Sequence, residues 1–276
     1  MWGAMSKMAS GAMSAVGLGP SGEKVPFDCA WPNPDVTDAR VCMALLEKHH
    51  AQFCQYQEDK EWGLIDGFKD PDGGDMHMWT RPAYQTYQCV KATFSIPDTK
   101  PAKVVELLYS ADMKVRGAYS ADCTALNLID EPTAMSSIIT TTYWAPPPVA
   151  SRDFVFLVGK REHEDGTMDV WGCSVQHADA PETYAIVRGA SLWGWRLTPV
   201  GDHCLASYTN CFDPRGWTPT WVLSWMKTTC AKELAAVRNV CTGQKVNLEK
   251  TSLEDAGVDA EKAKAEAAAH EKEAKA

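Results

Sequence analysis

Val149-Ala150-Ser151-Arg152-Asp153-Phe154-Val155-Phe156-Leu157 opens the stretch on which the reading of this chain turns. A polar corner, Ser151-Arg152-Asp153, leads into an apolar strand. Ile186-Val187-Arg188 and Leu197-Thr198-Pro199 follow, then the turn Asp213-Pro214-Arg215-Gly216-Trp217, then a Trp-rich helix. Thr218 and Pro219 read as the cap and first-turn proline of that helix. At helical spacing Leu223, Met226, Cys230, Leu234, Val237 and Cys241 form one stripe, with Trp221 and Trp225 on the opposite side. A helix apolar on two faces buries both, or buries one and offers the other to a partner.

Outward from this stretch, the upstream chain alternates short strand patterns with two helices. Residues 36–56 read as a helix, with Met43, Leu46, His50 and Phe53 at helical spacing and Asp35 or Thr37 as its cap. His49 and His50 point about 100° apart on a helix and make a poor chelate. Residues 62–65, 76–79 and 87–96 read as strands, with Asp70-Pro71-Asp72-Gly73-Gly74 as a turn. That turn lacks the alternate carboxylates and distal Glu of a calcium loop. Residues 99–110 read as a helix with Pro101 in its first turn. Further strands are expected over 123–130, 136–144, 154–160, 168–177, 183–195 and 203–212, with Asp165-Gly166 at a hairpin. The run Ala145-Pro146-Pro147-Pro148 cannot pair inside a sheet and reads as a stiff connection. The pattern is an α+β domain built on antiparallel strands.

The chain has 276 residues, is 45% hydrophobic and carries a formal charge of −9. It supports a globular core, and its acidic balance argues against a nucleic-acid partner. Its apolar runs are too short to span a bilayer. Ten cysteines include no Cys-x-x-Cys pair and read as reduced core residues, as in a cytoplasmic protein. No metal or redox cofactor is implied. Residues 1–35 read as a flexible Gly/Ala/Ser/Met-rich leader, with a membrane-touching or targeting segment as the alternative. Residues 244–276 are a charged Ala/Glu/Lys-rich tail with no apolar stripe, read as a solvated appendage, with a partner-helix role as the alternative.

The ordered set Arg152-Asp153-Phe154, Val187-Arg188, Trp195 with Pro199, and Asp213-Pro214 with Gly216-Trp217 and Pro219 resembles the second half of a START domain. This is the lipid-binding family related to the steroidogenic acute regulatory protein. The resemblance covers roughly residues 36–241 and is clear from about Thr140. It implies a helix-grip fold over 36–243: a curved antiparallel sheet with a long C-terminal helix closing an apolar tunnel for one lipid. By family matching, Arg152 starts an inward set, so Phe154, Phe156 and Val158 face the tunnel, with Ile139, Thr141 and Tyr143 on the preceding strand. Trp171, Cys173 and Val175 form another apolar set at period two, and Leu223, Met226, Cys230 and Leu234 would roof the tunnel. Ordinary core packing is the alternative for each of them.

The family's Arg-x-x-Trp-Asp pattern is replaced by Lys114-Val115-Arg116-Gly117-Ala118. Lys114 stands where phosphatidylcholine-binding members carry an arginine that meets the lipid phosphate. Val158 stands where the cholesterol-binding prototype has a buried arginine, and the facing strand has no acid. A neutral, hydroxyl-bearing tunnel is therefore expected, with Lys114 or Arg116 near a phosphate. The loop before Arg152 looks more like the phosphatidylcholine-transfer branch. Trp217, Trp221 and Trp225 suit a bilayer interface; packing against the first helix or the proline loop is the alternative. The expectation is a monomeric carrier that binds a phospholipid or a sterol and touches membranes transiently. A lipid-sensing regulatory module working through its tails, and a helix-grip enzyme, are the other readings. No Gly-x-Ser-x-Gly, P-loop or His-Glu-x-x-His motif supports the last.

Overall fold

The computed structural model of the chain describes Val36, residues 38–81 and residues 88–274. The leader expected over 1–35, the caps Asp35 and Thr37, and the strand start at Tyr87 lie outside the described residues.

Helix α1 (Ala39–Glu58) begins at Asp38, whose carboxylate accepts from the Arg40 backbone N–H, satisfying one of the orphan donors of the first turn. Strands β1 (Gly63–Leu64), β2 (His77–Arg81) and β3 (Gln88–Ile96) follow. Helix α2 (Pro101–Tyr109) and the single-turn helix α3 (Met113–Gly117) separate these from β4 (Cys123–Thr133), β5 (Ser136–Tyr143), β6 (Arg152–Glu162) and β7 (Met168–Ser174). The stretch expected as one strand over 183–195 is divided into β8 (Val187–Arg188) and β9 (Ala190–Val200), and β10 (His203–Asp213) completes the sheet. Helix α4 (Thr220–Thr242) crosses it, and α5 (Ala260–Ala274) lies in the tail.

The sheet order is β1-β2-β3-β10-β9-β7-β6-β5-β4, with every neighbouring pair antiparallel and β8 joining β6 in parallel. One face of this curved sheet packs against α2 and α4. The other face packs against α1, through Cys42, Leu46 and Tyr56 on Leu157, Trp171 and Leu192. Two glycines show how the faces are shared. A Cβ at Gly172 would lie 2.7 Å from the Trp193 ring, which fills that space on the α4 face. A Cβ at Gly194 would lie 2.5 Å from the Phe53 ring of α1. A large side chain on one strand thus sits where its neighbour has none.

Helix α4 starts differently from the sequence expectation. Pro219 occupies the cap position with extended backbone and Thr220 is the first helical residue, while the Thr218 hydroxyl donates to the Arg215 carbonyl. Gly243 ends the helix in the left-handed conformation, φ 69°, with the Gln244 N–H returning to the Asn239 carbonyl. Near that end the turn read from Asp70 to Gly74 acts as a fastening. Arg238 donates to both Asp70 oxygens at 2.7 and 2.8 Å, and Asn239 to Asp72 at 2.7 Å.

The tail does not stand free. Residues 251–263 pack on the amino-terminal half of α4 and the proline loop, in a cluster joining Ala145, Val149, Trp221, Val222 and Trp225 to Leu253, Val258 and Ala263. The Trp225 Nε1–H donates to the Thr251 carbonyl at 2.8 Å, and Lys232 pairs with Asp255 at 2.8 Å. Leu253, Ala256 and Val258 lie before α5 and Ala263 alone within it, so a test for a helical stripe misses them. Among the described residues no helix is long and apolar enough to cross a membrane.

Candidate functional site

A cavity of about 180 Å³ lies between the sheet and α4. Ile139, Thr141, Tyr143, Phe154 and Phe156 line it from β5 and β6, and Trp193, Trp195 and Tyr208 from β9 and β10. Register explains the alternation. Ile139 pairs with Phe156 and Thr141 with Phe154, so both strands turn the same parity inward. The Phe154 and Phe156 rings stack at 5.3 Å, and Trp193 meets Phe156 edge-on at 5.9 Å, giving an aromatic wall.

Helix α4 roofs the cavity with Met226, Cys230 and Leu234, joined by Val222, Trp225, Thr229 and Glu233. The facing stripe is therefore rotated from the one expected. Leu223 is half-buried and does not line the cavity, whereas Trp225 does and also packs under the tail. Val158 is buried in the core cluster and also lies off the cavity.

Three expected lining residues lie on the opposite face. Phe156 pairs with Ser174 and Val158 with Gly172, so the inward set on β7 is Gly172 and Ser174. Trp171, Cys173 and Val175 consequently point at α1, and the Trp171 indole donates to the Leu46 carbonyl at 3.1 Å. Their period-two pattern is genuine, but pattern alone does not say which face is hollow.

Arg152 reaches the cavity edge, yet its guanidinium is committed elsewhere. It donates to the carbonyls of Pro214, Arg215 and Trp217 at 2.9–3.0 Å, and to Ala150. It clamps the turn that launches α4 to the start of β6. Asp153 and Arg188 form a second clamp, at 2.8 and 2.9 Å, tying β8 alongside.

The polar end of the cavity departs most from expectation. Lys114 is exposed on α3 and does not reach the cavity, whereas Arg116, two residues on, is buried and lines it. The Arg116 Nε has no hydrogen-bond partner, and among the described residues no carboxylate lies within ion-pair distance of its guanidinium, although Glu233 acts on it from farther off. Its charge sits over the Tyr119 ring at 5.2 Å. Asp122 and Glu233 line the same end, so the tunnel is not neutral. The charges come from α3 and α4 and the start of β4, not from the two strands where the cholesterol-binding pattern would set them. Burial pushes the Glu233 carboxyl up to about 7, against the pull of Arg116. Burial also raises Asp122, opposed by the Thr251 backbone N–H and by Lys250. Asp122 Oδ1, the Tyr119 hydroxyl, and the Thr141 and Thr229 hydroxyls are buried without partners among the described residues. Buried polar groups are normally satisfied, so this concentration marks the end of the cavity that a polar ligand group completes.

Glu233 was legible as an acid within the Met226–Cys230–Leu234 surface of α4, and Trp193 and Trp195 as same-face residues of β9. Arg116 was expected beside Lys114 as the alternative phosphate contact; only the direction taken by the short helix α3 decides between them.

Trp221 and Trp225 are buried at 8% and 5% exposure beneath the tail and proline loop. Trp217 is half-buried and stacks on His270 of the tail at 4.8 Å. The surface expected to meet a membrane is therefore covered in this conformation.

On the α1 face His50, Cys54 and Asp169 come together, with Arg196 and His163 beside them. Arg196 grips both Asp169 oxygens at 2.9–3.0 Å, and His50 Nε2 lies 2.8 Å from Oδ2. A guanidinium already supplies the positive charge an ion would bring. The cluster fastens α1 to the sheet.

Residues 57–247 match the START domain family. The chain belongs to the START domain family. Members of this family bind lipids, and the polar-ended apolar cavity is in keeping with that. Solved structures with the same fold include human StAR-related lipid transfer protein 5, at 18% identity and a TM-score of 0.65, covering 74% of this chain and 98% of that one. Human STARD10 matches at 17% identity and 0.61, covering 78% and 83%. A STAR-related lipid transfer protein fragment from Xanthomonas axonopodis matches at 21% identity and 0.56, covering 66% and 99%. No curated protein matches the sequence. The START domain match ends at residue 247, just before the segment that covers Trp225.

Proposed function

We propose that this START domain binds one zwitterionic phospholipid, with its chains against the aromatic wall and its headgroup at Arg116, Asp122 and Glu233. It then carries the lipid between membranes, working as a monomeric cytoplasmic protein in transient contact with them. The observation that carries this reading is Arg116: a buried, unpaired cation at one end of an otherwise apolar cavity. Burying such a charge with no carboxylate in ion-pair reach costs several kcal/mol, which Glu233 offsets only in part. A phosphate supplies the missing anion through charge-assisted hydrogen bonds. Asp122 and Glu233 then face the ammonium of the same headgroup, with Tyr143 and Trp144 beside it. A sterol hydroxyl would leave Arg116 uncompensated.

Purification from a eukaryotic host, native mass spectrometry and extraction of bound lipid test the proposal. One phospholipid per chain, lost in Arg116→Met and retained in Lys114→Met, is the expected result. A stoichiometric sterol would overturn the headgroup assignment and move attention to residues 140–142. No lipid bound or taken up from vesicles would overturn the carrier reading itself.

A further inference from the structure

The tail segment 248–270 touches the wall of the cavity at several independent points. The Thr251 hydroxyl lies 3.4 Å from Asp122 Oδ2, and the Thr251 carbonyl accepts from the Trp225 indole. The Lys250 ammonium sits 4.7 Å from the centre of the Trp144 ring. Asp122, Trp144 and Trp225 all line the cavity, so the segment forms the outer layer of one of its walls. Farther along, Ala263 is only 1% exposed against the same cluster, and His270 stacks on Trp217.

These attachments are sparse. Leu253, Ala256 and Val258 are half-buried, Asp255 meets Lys232 at a partly exposed ion pair, and most of α5 faces water. Segments with few buried contacts open at low cost. The opposite end of α4 is fastened by Arg238 and Asn239 to Asp70 and Asp72. The two ends of the roof therefore differ: Arg238 and Asn239 fasten the far end of the helix itself, whereas past the turn that Arg152 clamps to β6 the first turns of α4 are covered by the proline loop and the tail. The cavity, at about 180 Å³, is below the roughly 300–1,000 Å³ of ordinary ligand sites, and the tail borders the wall whose movement would widen it.

We infer that residues 248–270 are an intramolecular strap that occupies the aromatic surface of α4 and the 144–149 loop, competing there with a lipid bilayer and holding the cavity shut until displaced. This rests on the lipid-carrier reading above. Released, Trp217, Trp221 and Trp225 present indoles suited to a bilayer interface, and the wall made by Asp122, Trp144 and Trp225 loses its outer layer.

The full chain with Ala263→Glu, which forces a carboxylate into the buried contact, tests this against Ala265→Glu, a control on the exposed side of α5. Three quantities are read: tryptic cleavage after Lys250, co-sedimentation with phosphatidylcholine vesicles, and uptake of fluorescent phosphatidylcholine from them. A263E should raise all three, by about tenfold for vesicle affinity if the strap is closed nine parts in ten. A265E should match the wild type. The charge reversals Lys232→Glu and Asp255→Lys should act in the same direction as A263E, and their combination should return toward the wild type. Faster cleavage with unchanged sedimentation and uptake overturns the strap as a gate. Unchanged cleavage overturns the strap itself. If neither the wild type nor the cleaved protein takes up lipid, the carrier reading has failed, which is distinguishable because cleavage still reports the strap.

Discussion

Glu233 and Arg116 concentrate the chemistry of this domain at the residue scale. Glu233 moves from an ordinary 4.5 to about 7 because burial penalises its charged form more than Arg116 rewards it. A carboxyl whose folded value is raised contributes stability below its unfolded value, and that contribution is lost as pH rises through the folded value. The lipid-free protein should therefore lose about 3 kcal/mol between roughly pH 4.5 and pH 8 from this group. Glu233→Gln should flatten that slope in chemical denaturation curves; an unaltered slope would assign it to other groups. Arg116→Met should abolish phospholipid uptake without lowering the stability of the lipid-free protein in chemical denaturation. A residue serving only the fold would lose stability instead.

The interplay of helices with the two sheet faces belongs to the scale of elements. Helix α1 is latched through Asp169, whose carboxyl is held well below the usual range. Burial opposes this, but hydrogen bonds from His50, Arg196 and His163 prevail. His50 is raised to about 9 by its bonds to Asp169 and Cys54, again against burial. The signs differ. The His50 contribution is complete below about 6.5 and fades as pH rises through about 9, while the Asp169 contribution is complete above 3.8 and fades in stronger acid. Asp169→Asn should cost about 3–5 kcal/mol and erase both dependences in thermal melts across pH. Trp171→Ala, on the same face, should destabilise by about 3–5 kcal/mol yet leave lipid bound per folded molecule unchanged. Reduced stoichiometry in the folded fraction would return Trp171 to the cavity wall.

At the scale of the whole molecule, the roof helix is fastened through its own side chains near its end, while its first turns, beyond the Arg152 clamp, are covered by the tail and the proline loop. Asp70 is held at about 2: burial would raise it, but bonds from Arg238 and the Asp72 and Met76 backbone outweigh that. The end of α4 near Arg238 should therefore stay protected from amide hydrogen exchange during vesicle encounter. Residues 144–149, 220–230 and 248–263 should exchange faster together. Uniform acceleration along all of α4 would show that the helix leaves as a rigid body rather than opening from one end. Asp70→Asn should make that uniform pattern appear.

Much of the architecture was legible without coordinates. Alternation of apolar residues, the Pro146–Pro148 break, the Asp165-Gly166 hairpin and the ordered signature from Arg152 to Pro219 determined an antiparallel sheet closed by a long helix. Those are local properties, set by backbone preference and short-range period. Period two says that Trp171, Cys173 and Val175 share a face, but not which face; the pairing of Val158 with Gly172 decides it. The composition of residues 244–276 says that no helical stripe docks there, but not that Leu253, Val258 and Ala263 meet Trp225 across the fold. Likewise the sequence puts Lys114 and Arg116 two residues apart, and only the path of α3 leaves one in water and buries the other. Sequence determines what each segment can bury; the tertiary structure decides against what, because burial is a relation between segments distant along the chain.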